Sequence, residues 1–177
     1  MISDNTPPLF PAGEFESPGE YDSETKSRFA TELANCSVKI RSAIEGLSGE
    51  QLDTKYKNWT IRQIVHHLAD SHMNAYIRFK WALTEASPLI KSYDETKWSE
   101  IVDAKTADVE SSLAILDGLH ARWATLVKGL DDTSMKKTFF HPEQTRNVSL
   151  AESLPAYVWH TEHHVAQIRW IRSEQDW

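Results

Sequence analysis

The sequence contains a single cysteine, Cys36, among its 177 residues. One thiol per chain excludes a disulfide framework within the chain, and it excludes a zinc ribbon built on cysteine ligands. A metal site in this protein would therefore use carboxylates and some of the 8 histidines. Cys36 itself falls in an apolar helical stripe, and we interpret it as a small buried side chain rather than a reactive thiol.

Positive charge and long apolar runs are also scarce. The chain has 19 Lys and Arg against 26 Asp and Glu, which gives a formal net charge of −7. This balance disfavours a phosphate backbone as a ligand, so we expect no nucleic-acid partner. Residues 1–8 show no basic segment and no apolar run, so we expect neither a secretion signal nor a membrane anchor. With the single cysteine, these features predict a cytoplasmic protein.

The length and the proline pattern predict one folded unit with an N-terminal extension. A chain of 177 residues with 40% hydrophobic and 25% charged residues can bury one substantial core. Four prolines within residues 1–21 oppose helix formation there. We therefore predict an extended arm over residues 1–21, followed by a single domain over residues 22–177.

Apolar residues recur every three or four positions in four segments, as is typical of amphipathic helices. The spacing predicts helices over about residues 22–47, 60–85, 107–129 and 150–172. Thr60 is a candidate N-cap, and Ser149 with Glu152 forms a capping-box pattern. Because no segment alternates convincingly as a strand, the sequence predicts an all-α four-helix bundle.

Two long connections, residues 84–106 and 131–148, separate the predicted helices. Such lengths are unusual for a minimal up-down bundle, and they indicate crossovers or functional lids. The second connection contains His141, which is interpreted either as a turn residue or as a lid residue over a site.

The strongest candidate for a functional site is a pair of histidines four residues apart, His160 and His164. Residues at this spacing share one face of a helix, so both imidazoles can bind one ion. The predicted second helix offers three candidates for a further ligand, namely His66, His67 and His72. Helical geometry places His72 in the apolar stripe, His67 to one side and His66 on the outer face. Geometry alone does not choose among them.

The same geometry turns the pair on the last helix toward the side on which His67 lies. These three histidines would meet at a groove edge, where an open catalytic site belongs. His72 and His120 lie in the middle of apolar stripes, and we interpret them as core histidines held by hydrogen bonds. His163 points away from its neighbours and is expected to be a solvated side chain.

A longer pattern of residues resembles the DinB-like superfamily, and within it the YfiT type. The resemblance covers nearly the whole chain, and its most specific part is WTIRQIVHHLADSHMN at residues 59–74. It continues in PAGEF at 11–15, YIRFK at 76–80, YDE at 93–95, KTAD at 105–108, HP at 141–142 and YVWHTEHH at 157–164.

The resemblance implies a four-helix bundle, a homodimer and one divalent ion per subunit, either zinc or nickel. It implies His67, His160 and His164 as the ligands. The chain departs from some relatives at Glu162 and Gln167, where those relatives carry further histidines; this departure concerns the surroundings of the ligands. The resemblance also nominates five pocket residues without a catalytic role: Asn74, Arg78, Tyr93, Asp94 and Glu95.

Three imidazole ligands leave a divalent ion with at least one open position, which is typical of a catalytic site. Such an ion activates either a thiol or water, and the residue types do not decide between them. The resemblance favours transfer of a low-molecular-weight thiol to an electrophilic small molecule. The alternative is a metal-dependent hydrolase that uses the same residues.

A third interpretation is a non-catalytic helical scaffold or a stress-associated binding module, in which any metal is structural. A closed, structural site needs a fourth protein ligand. The sequence offers only weak candidates for it: Asp70, Glu162 and His72.

Overall fold

The computed structural model describes residues 6–18 and 21–177. Within these residues the helices are, in chain order, α1 (Ser23–Ala34), α2 (Cys36–Ile44), α3 (Gly49–Leu52), α4 (Ile61–Thr84), α5 (Glu95–Ser99), α6 (Val102–Thr106), α7 (Val109–Lys128), α8 (Asp132–Met135) and α9 (Leu150–Glu174). The strands are β1 (Lys55–Tyr56), β2 (Trp59–Thr60), β3 (Thr138–His141) and β4 (Arg146–Ser149). In this part of the chain, no helix combines the length and the apolar character needed to cross a membrane.

The long helices form a four-helix bundle, as the sequence predicts. The continuous pair α1 and α2 acts as one member and packs against α7 and α9, while α4 packs against the same two helices. The first pair and α4 therefore occupy diagonal positions, and so do α7 and α9. The connections that lead into α4 and α9 must cross the bundle, which explains the length of the segment before α9.

The predicted first helix, residues 22–47, is divided at Asn35 and ends at Ile44. The Asn35 amide donates its better hydrogen bond to the Glu32 carbonyl three residues back, at 3.0 Å, and only a longer one of 3.3 Å to Thr31. This tighter turn separates α1 from α2 without a loop. Periodicity alone could not show the break, because the apolar spacing continues across it.

The helices α4 and α9 begin where the sequence predicts. Thr60 accepts a hydrogen bond from the Gln63 amide at 3.1 Å, and Ser149 accepts one from the Glu152 amide at 3.1 Å. These side chains satisfy amides that have no partner inside the helix. The predicted capping box at Ser149 is only half formed, because the Glu152 carboxylate binds the Arg146 guanidinium instead.

The expectation that the chain lacks strands is wrong for two short hairpins. Strand β1 pairs with β2, and β3 pairs with β4 through four residue pairs from Thr138↔Ser149 to His141↔Arg146. In the second hairpin Phe139 faces Val148 across the pair, and both side chains are buried in the bundle core. Strands of two to four residues are too short to show a clear alternation in the sequence.

The two long connections meet beside the long helix α4. The first contains α5 and α6, which pack against α4. The second contains the β3–β4 hairpin, and the Phe140 amide donates to the Pro88 carbonyl at 2.8 Å while the Ile90 amide donates to the Phe140 carbonyl at 3.1 Å. Together the connections form a wall beside α4 and α9.

A polar layer divides the apolar core into two clusters. One cluster uses the later part of α4 and the beginning of α9, including Phe79 and Leu154, and it surrounds Trp123. The other uses the beginning of α4 and the later part of α9, including Leu68 and Ile168. Most of the histidines of α4 and α9 lie between these clusters, where polar groups need partners because they are shielded from water.

The N-terminal arm lies across α9 over the residues that are described. The Trp159 indole nitrogen donates to the Gly13 carbonyl at 3.1 Å, and its ring contacts Phe10 and Phe15 with centroids 6.4 and 5.9 Å apart. Residues 1–5, 19 and 20 of the predicted arm lie outside the described residues.

Candidate metal centre

Three histidines from two neighbouring helices turn their Nε2 atoms toward one point. The His160 Nε2 atom lies 3.2 Å from that of His67 on α4 and 3.1 Å from that of His164, one turn further along α9. One ring nitrogen from each of the three histidines lies within 4.8 Å of the other two. The structure thus brings together the three residues that the family resemblance names as ligands.

The spacing of these atoms fits a divalent ion. Zinc binds imidazole nitrogen at about 2.0–2.1 Å in tetrahedral sites, which places neighbouring ligand atoms about 3.3 Å apart. The two short Nε2 separations are close to that value. A ligating imidazole must be neutral, with its lone pair directed at the ion.

Burial keeps the three rings neutral. It lowers the pKa of His67, His160 and His164 well below the usual value, and a neighbouring histidine lowers each pKa further. The deprotonated form required for metal binding is therefore the form present at neutral pH.

Gln167 sets the tautomer of His164. Its amide oxygen accepts a hydrogen bond from His164 Nδ1 at 2.8 Å, and its amide nitrogen donates to His163 Nε2 at 2.9 Å. With the proton on Nδ1, the lone pair of His164 is on Nε2 and points to the other two rings. The position that differs from some relatives thus orients a candidate ligand, a role that the sequence alone did not reveal.

Two side chains of different character, one aromatic and one acidic, border the cluster. The Trp59 ring of β2 lies over His67, with centroids 4.5 Å apart, and stacks on His164 at 6.2 Å. Glu95 at the start of α5 places Oε2 3.6 Å from His67 Nε2, and its side chain is 59% exposed. Burial and then the nearby Glu143 carboxylate raise the pKa of Glu95. The cluster therefore has an apolar cover and a carboxylate at its edge.

A cavity of about 410 Å³ adjoins His160. Its wall includes aromatic side chains from the arm, the β3–β4 hairpin and α9, together with charged and polar groups; they include Phe15, Arg78, Glu95, Phe139, His141, Tyr157 and Trp159. His141, interpreted from the sequence as a turn or lid residue, lies on this wall. The long connections and the arm thus shape the space in front of the histidines.

Three of the other histidines, His66, His72 and His120, have hydrogen-bond partners inside the bundle. His72 and His120 are fully buried, and His120 Nε2 lies 2.9 Å from His72 Nδ1, which confirms their interpretation as core histidines. The prediction for His66 is wrong: it is buried, its Nε2 donates to the Ala107 carbonyl at 3.3 Å, and Ser112 donates to its Nδ1 at 2.7 Å. The start of α7 covers the face that the helical stripe left outside.

His163 also differs from the expectation of a solvated side chain. It is half-buried, and its ring stacks on Trp159 with centroids 5.0 Å apart. The arm contributes to this burial, because Phe10 lies 6.0 Å from the same ring.

The weak candidates for a fourth ligand are placed elsewhere. Glu162 forms an ion pair with Lys39, His72 bonds to His120, and Asp70 lies where Asp103 raises its pKa in addition to burial. Across residues 6–18 and 21–177, no fourth histidine, cysteine or carboxylate atom joins the group of three. This arrangement leaves one side of the cluster facing Glu95 and the cavity.

Comparison with known proteins identifies the class to which this fold and site belong. The DinB superfamily profile matches residues 33–168. The chain therefore belongs to the DinB superfamily, and the predictions of the family and of the four-helix bundle are confirmed.

Particular relatives are similar over nearly their full length. The "putative metal-dependent hydrolase YfiT" of Bacillus subtilis is 44% identical over 170 residues, which cover 95% of this chain and 96% of that protein. A "putative metal-dependent hydrolase" of Oceanobacillus iheyensis is 41% identical, with 95% and 98% covered. The solved structure of YfiT, described as a "probable metal-dependent hydrolase with an unusual four-helix bundle topology", matches with a TM-score of 0.92 over 95% of this chain and 97% of that one.

These relatives and the histidine cluster support a metal-dependent enzyme. The identity of the ion, the nucleophile, the homodimer and the cytoplasmic location stay predictions.

Proposed function

We propose that this chain is a metal-dependent S-transferase. His67, His160 and His164 would hold one divalent ion, zinc or nickel, and a low-molecular-weight thiol would be transferred to an electrophilic small molecule. The observation that carries the proposal is the convergence of three neutral Nε2 atoms beside a cavity, with a carboxylate at the open edge.

A divalent ion held by these three histidines would act as a Lewis acid and would favour the deprotonated form of a thiol or a water molecule. Glu95 is placed to accept the proton that is released. Its raised pKa brings it closer to neutrality, where a carboxylate is a more effective general base, and its exposure lets it pass the proton to solvent.

The chain cannot supply the thiol itself. Cys36 is fully buried, its Sγ donates to the Glu32 carbonyl, and burial raises its pKa to about 11. A thiol of this kind is neither accessible nor ionised at neutral pH. The nucleophile must enter from solvent, and the cavity beside His160 has room for a small thiol or its acceptor.

The aromatic walls of the cavity suit an electrophile with an apolar body. Phe15, Phe139 and Trp159 come from three different segments and line the same space as His160. In the transfer, a carbon–sulfur bond forms, the bond to the leaving group breaks, and the leaving group departs with that electron pair. The thiol proton goes to Glu95.

Hydrolysis by the same residues is the second candidate. The relatives are named as metal-dependent hydrolases, and Glu95 is equally placed to take a proton from water. Both reactions require the same three histidines, so only the product distinguishes them.

The test begins with untagged protein, because a histidine tag would itself bind metal. Metal content is measured first, and turnover is then screened with several small thiols and an activated aryl halide. A thioether product that depends on added zinc or nickel supports transfer, whereas a product that gains water and never contains the thiol supports hydrolysis. His160→Ala should abolish either activity, and Glu162→Gln, which alters a residue of the same helix that pairs with Lys39, serves as the matched control.

The proposal is overturned if the ion is bound by four protein ligands and neither product forms across the screen. That result would support the scaffold interpretation. We also expect a homodimer in the cytoplasm; light scattering that shows a monomer at micromolar concentration would contradict the dimer without affecting the metal site.

A further inference from the structure

We propose that the cavity beside the three histidines contains a carboxylate-binding site built on Arg78 and Tyr157. The inference deepens the proposed function, on which it rests for the identity of the ligand as a substrate. It assigns the substrate class: one of the two reacting molecules carries a carboxylate that Arg78 binds while its reactive end lies near the histidines.

Arg78 is a buried charge without an acidic partner. It lies on α4 about three turns after His67, and only 7% of the residue is exposed. Its guanidinium stays charged, since arginine does not deprotonate in proteins. Its Nη1 donates to the Tyr157 hydroxyl at 3.1 Å, and in the described part of the chain no carboxylate lies within ion-pair distance of it.

Arg78 differs from the other arginines of the described chain in its burial, because none of the others is buried. Arg41 binds Glu110 and Asp117, and Arg146 binds Glu152 through both terminal nitrogens. These arginines are more exposed than Arg78, yet each has an acidic partner. Burying a cation is costly unless an anion compensates it, so the more buried guanidinium has the greater need of one.

Glu95 does not fill this role. It lines the same cavity, but its carboxylate approaches His67 rather than Arg78. Among the ion pairs of the described residues, none joins Glu95 to Arg78. The Glu95 carboxylate and the Arg78 guanidinium therefore lie at different places on the wall of the same cavity.

The position of Arg78 connects two spaces. It lines the cavity of about 410 Å³ that contains His160, and it also lines a smaller neighbouring cavity of about 130 Å³. Tyr157, His141 and Ser71 line both as well. A molecule that enters the larger cavity can thus contact Arg78 with one end while the other end faces the histidines.

The donors favour a carboxylate over a phosphate. A guanidinium matches the two oxygens of a carboxylate, and the Tyr157 hydroxyl can donate its own proton to the ligand while it accepts from Arg78. Burial raises the pKa of Tyr157, so the phenol keeps that proton. One cation and one phenol suit a singly charged group, and Glu95 nearby would repel a doubly charged one.

The first experiment measures binding without turnover. Benzoate and its neutral analogue benzamide are titrated into the full chain, with and without zinc, and binding is followed by ligand-observed and arginine-side-chain NMR. We expect benzoate to bind about tenfold more tightly than benzamide and to shift the Arg78 side-chain signal. Equal binding of the two ligands, or no shift at Arg78, would overturn the site.

Variants then assign the preference to a residue. Arg78→Gln should reduce the benzoate preference about tenfold, and Arg78→Lys should retain part of it because the charge remains without the planar fork. The matched control is Arg146→Gln, which alters an arginine of the same cavity that already has a partner; loss of the preference in that variant would place the site elsewhere and overturn the proposal. If Arg78→Gln fails to fold, two other measurements test the site. They are the benzoate preference of Tyr157→Phe and the shift of the Arg78 side-chain signal in the wild-type protein.

Turnover identifies which reactant carries the carboxylate. Mercaptoacetate is compared with mercaptoacetamide, and a halonitrobenzoate with its amide. A KM about tenfold lower for one acid, lost in Arg78→Gln at unchanged metal content, identifies the acidic reactant. If benzoate binds but no turnover occurs, the proposed function is rejected and the carboxylate-binding site stands. If turnover occurs without any preference for an acid, the carboxylate-binding site is rejected and the proposed function stands.

Discussion

Two groups of buried histidines lie side by side in the polar layer of the bundle, and they differ in where their nitrogens point. In the inner pair, His120 Nε2 lies 2.9 Å from His72 Nδ1, so that one proton joins the rings. In the outer group, three Nε2 atoms converge and Gln167 holds the proton of His164 on the far side. The groups are in contact, since the His72 ring stacks on His160 with centroids 5.7 Å apart.

The comparison shows that burial does not identify a metal site. Burial lowers the pKa of the histidines in both groups, so both are neutral near pH 7. What distinguishes the outer group is that its lone pairs share one point and that this point adjoins a cavity. We therefore expect the two groups to respond differently to the same kind of substitution.

The largest expected effect is on metal content. His160→Ala removes the nitrogen that is shared by both short contacts, and we expect the bound ion to fall from about one per subunit to nearly none. Elemental analysis of untagged protein measures it, with Glu162→Gln as the control that keeps its metal. Full occupancy in His160→Ala, with His72 or His120 on the ion, would remove the distinction between the groups.

The inner pair should affect stability instead. His120→Ala leaves His72 Nδ1 without its partner and opens space in the core, and we expect the free energy of unfolding to fall by about 2–4 kcal/mol. Urea denaturation measures this change, and metal content should stay at the wild-type level. A variant of normal stability that loses its metal would show that the inner pair belongs to the metal site.

Gln167→Ala tests how the outer group is oriented. Without the amide oxygen, His164 can place its proton on Nε2, and we expect the affinity for zinc to fall about tenfold. Competition with a chelator measures the affinity. Glu162→Gln is the control, because it alters a neighbouring residue of α9 that pairs with Lys39 and touches no ligand. An equal loss in both variants would argue against the orienting role.

The smallest effect concerns pH. His120 has a folded-state pKa of about 4, below the usual value of about 6.5. Between these two pH values, His120 is protonated in the unfolded chain and neutral in the folded chain. Its contribution to stability is complete above pH 6.5 and is lost as the pH falls toward 4. In metal-free protein, the slope of unfolding free energy against pH should therefore be smaller in His120→Ala, by up to about 1.4 kcal/mol per pH unit. Identical slopes would contradict this assignment.

The sequence predicts the long helices well because their apolar spacing extends over many turns. The predicted ends of α4, α7 and α9 lie within two residues of the observed ones. The hairpins were not predicted, since a strand of two to four residues contains too few positions to define a period. Their stability comes from docking, as the burial of Phe139 and Val148 in the core shows.

The candidate site, like the fold, could be predicted from the sequence only in part. The i, i+4 spacing indicates a common face for His160 and His164, while the choice of His67 over His66 depends on the resemblance. The outer position derived for His66 fails because α4 is covered on several sides near its beginning, and a single apolar stripe does not record that. Glu95 reaches His67 only through the path of the first long connection, which no local pattern contains.

The separation of the proposed ligands along the chain has a consequence for folding. His67 and His160 are 93 residues apart, so an ion bound by both closes a long loop and cross-links the second and last helices of the bundle. Because the unfolded chain does not hold these nitrogens together, we expect the folded chain to bind the metal more tightly than the unfolded chain. The concentration of free metal should then influence the apparent midpoint of thermal unfolding, and we expect the protein's persistence in a cell to depend on metal supply.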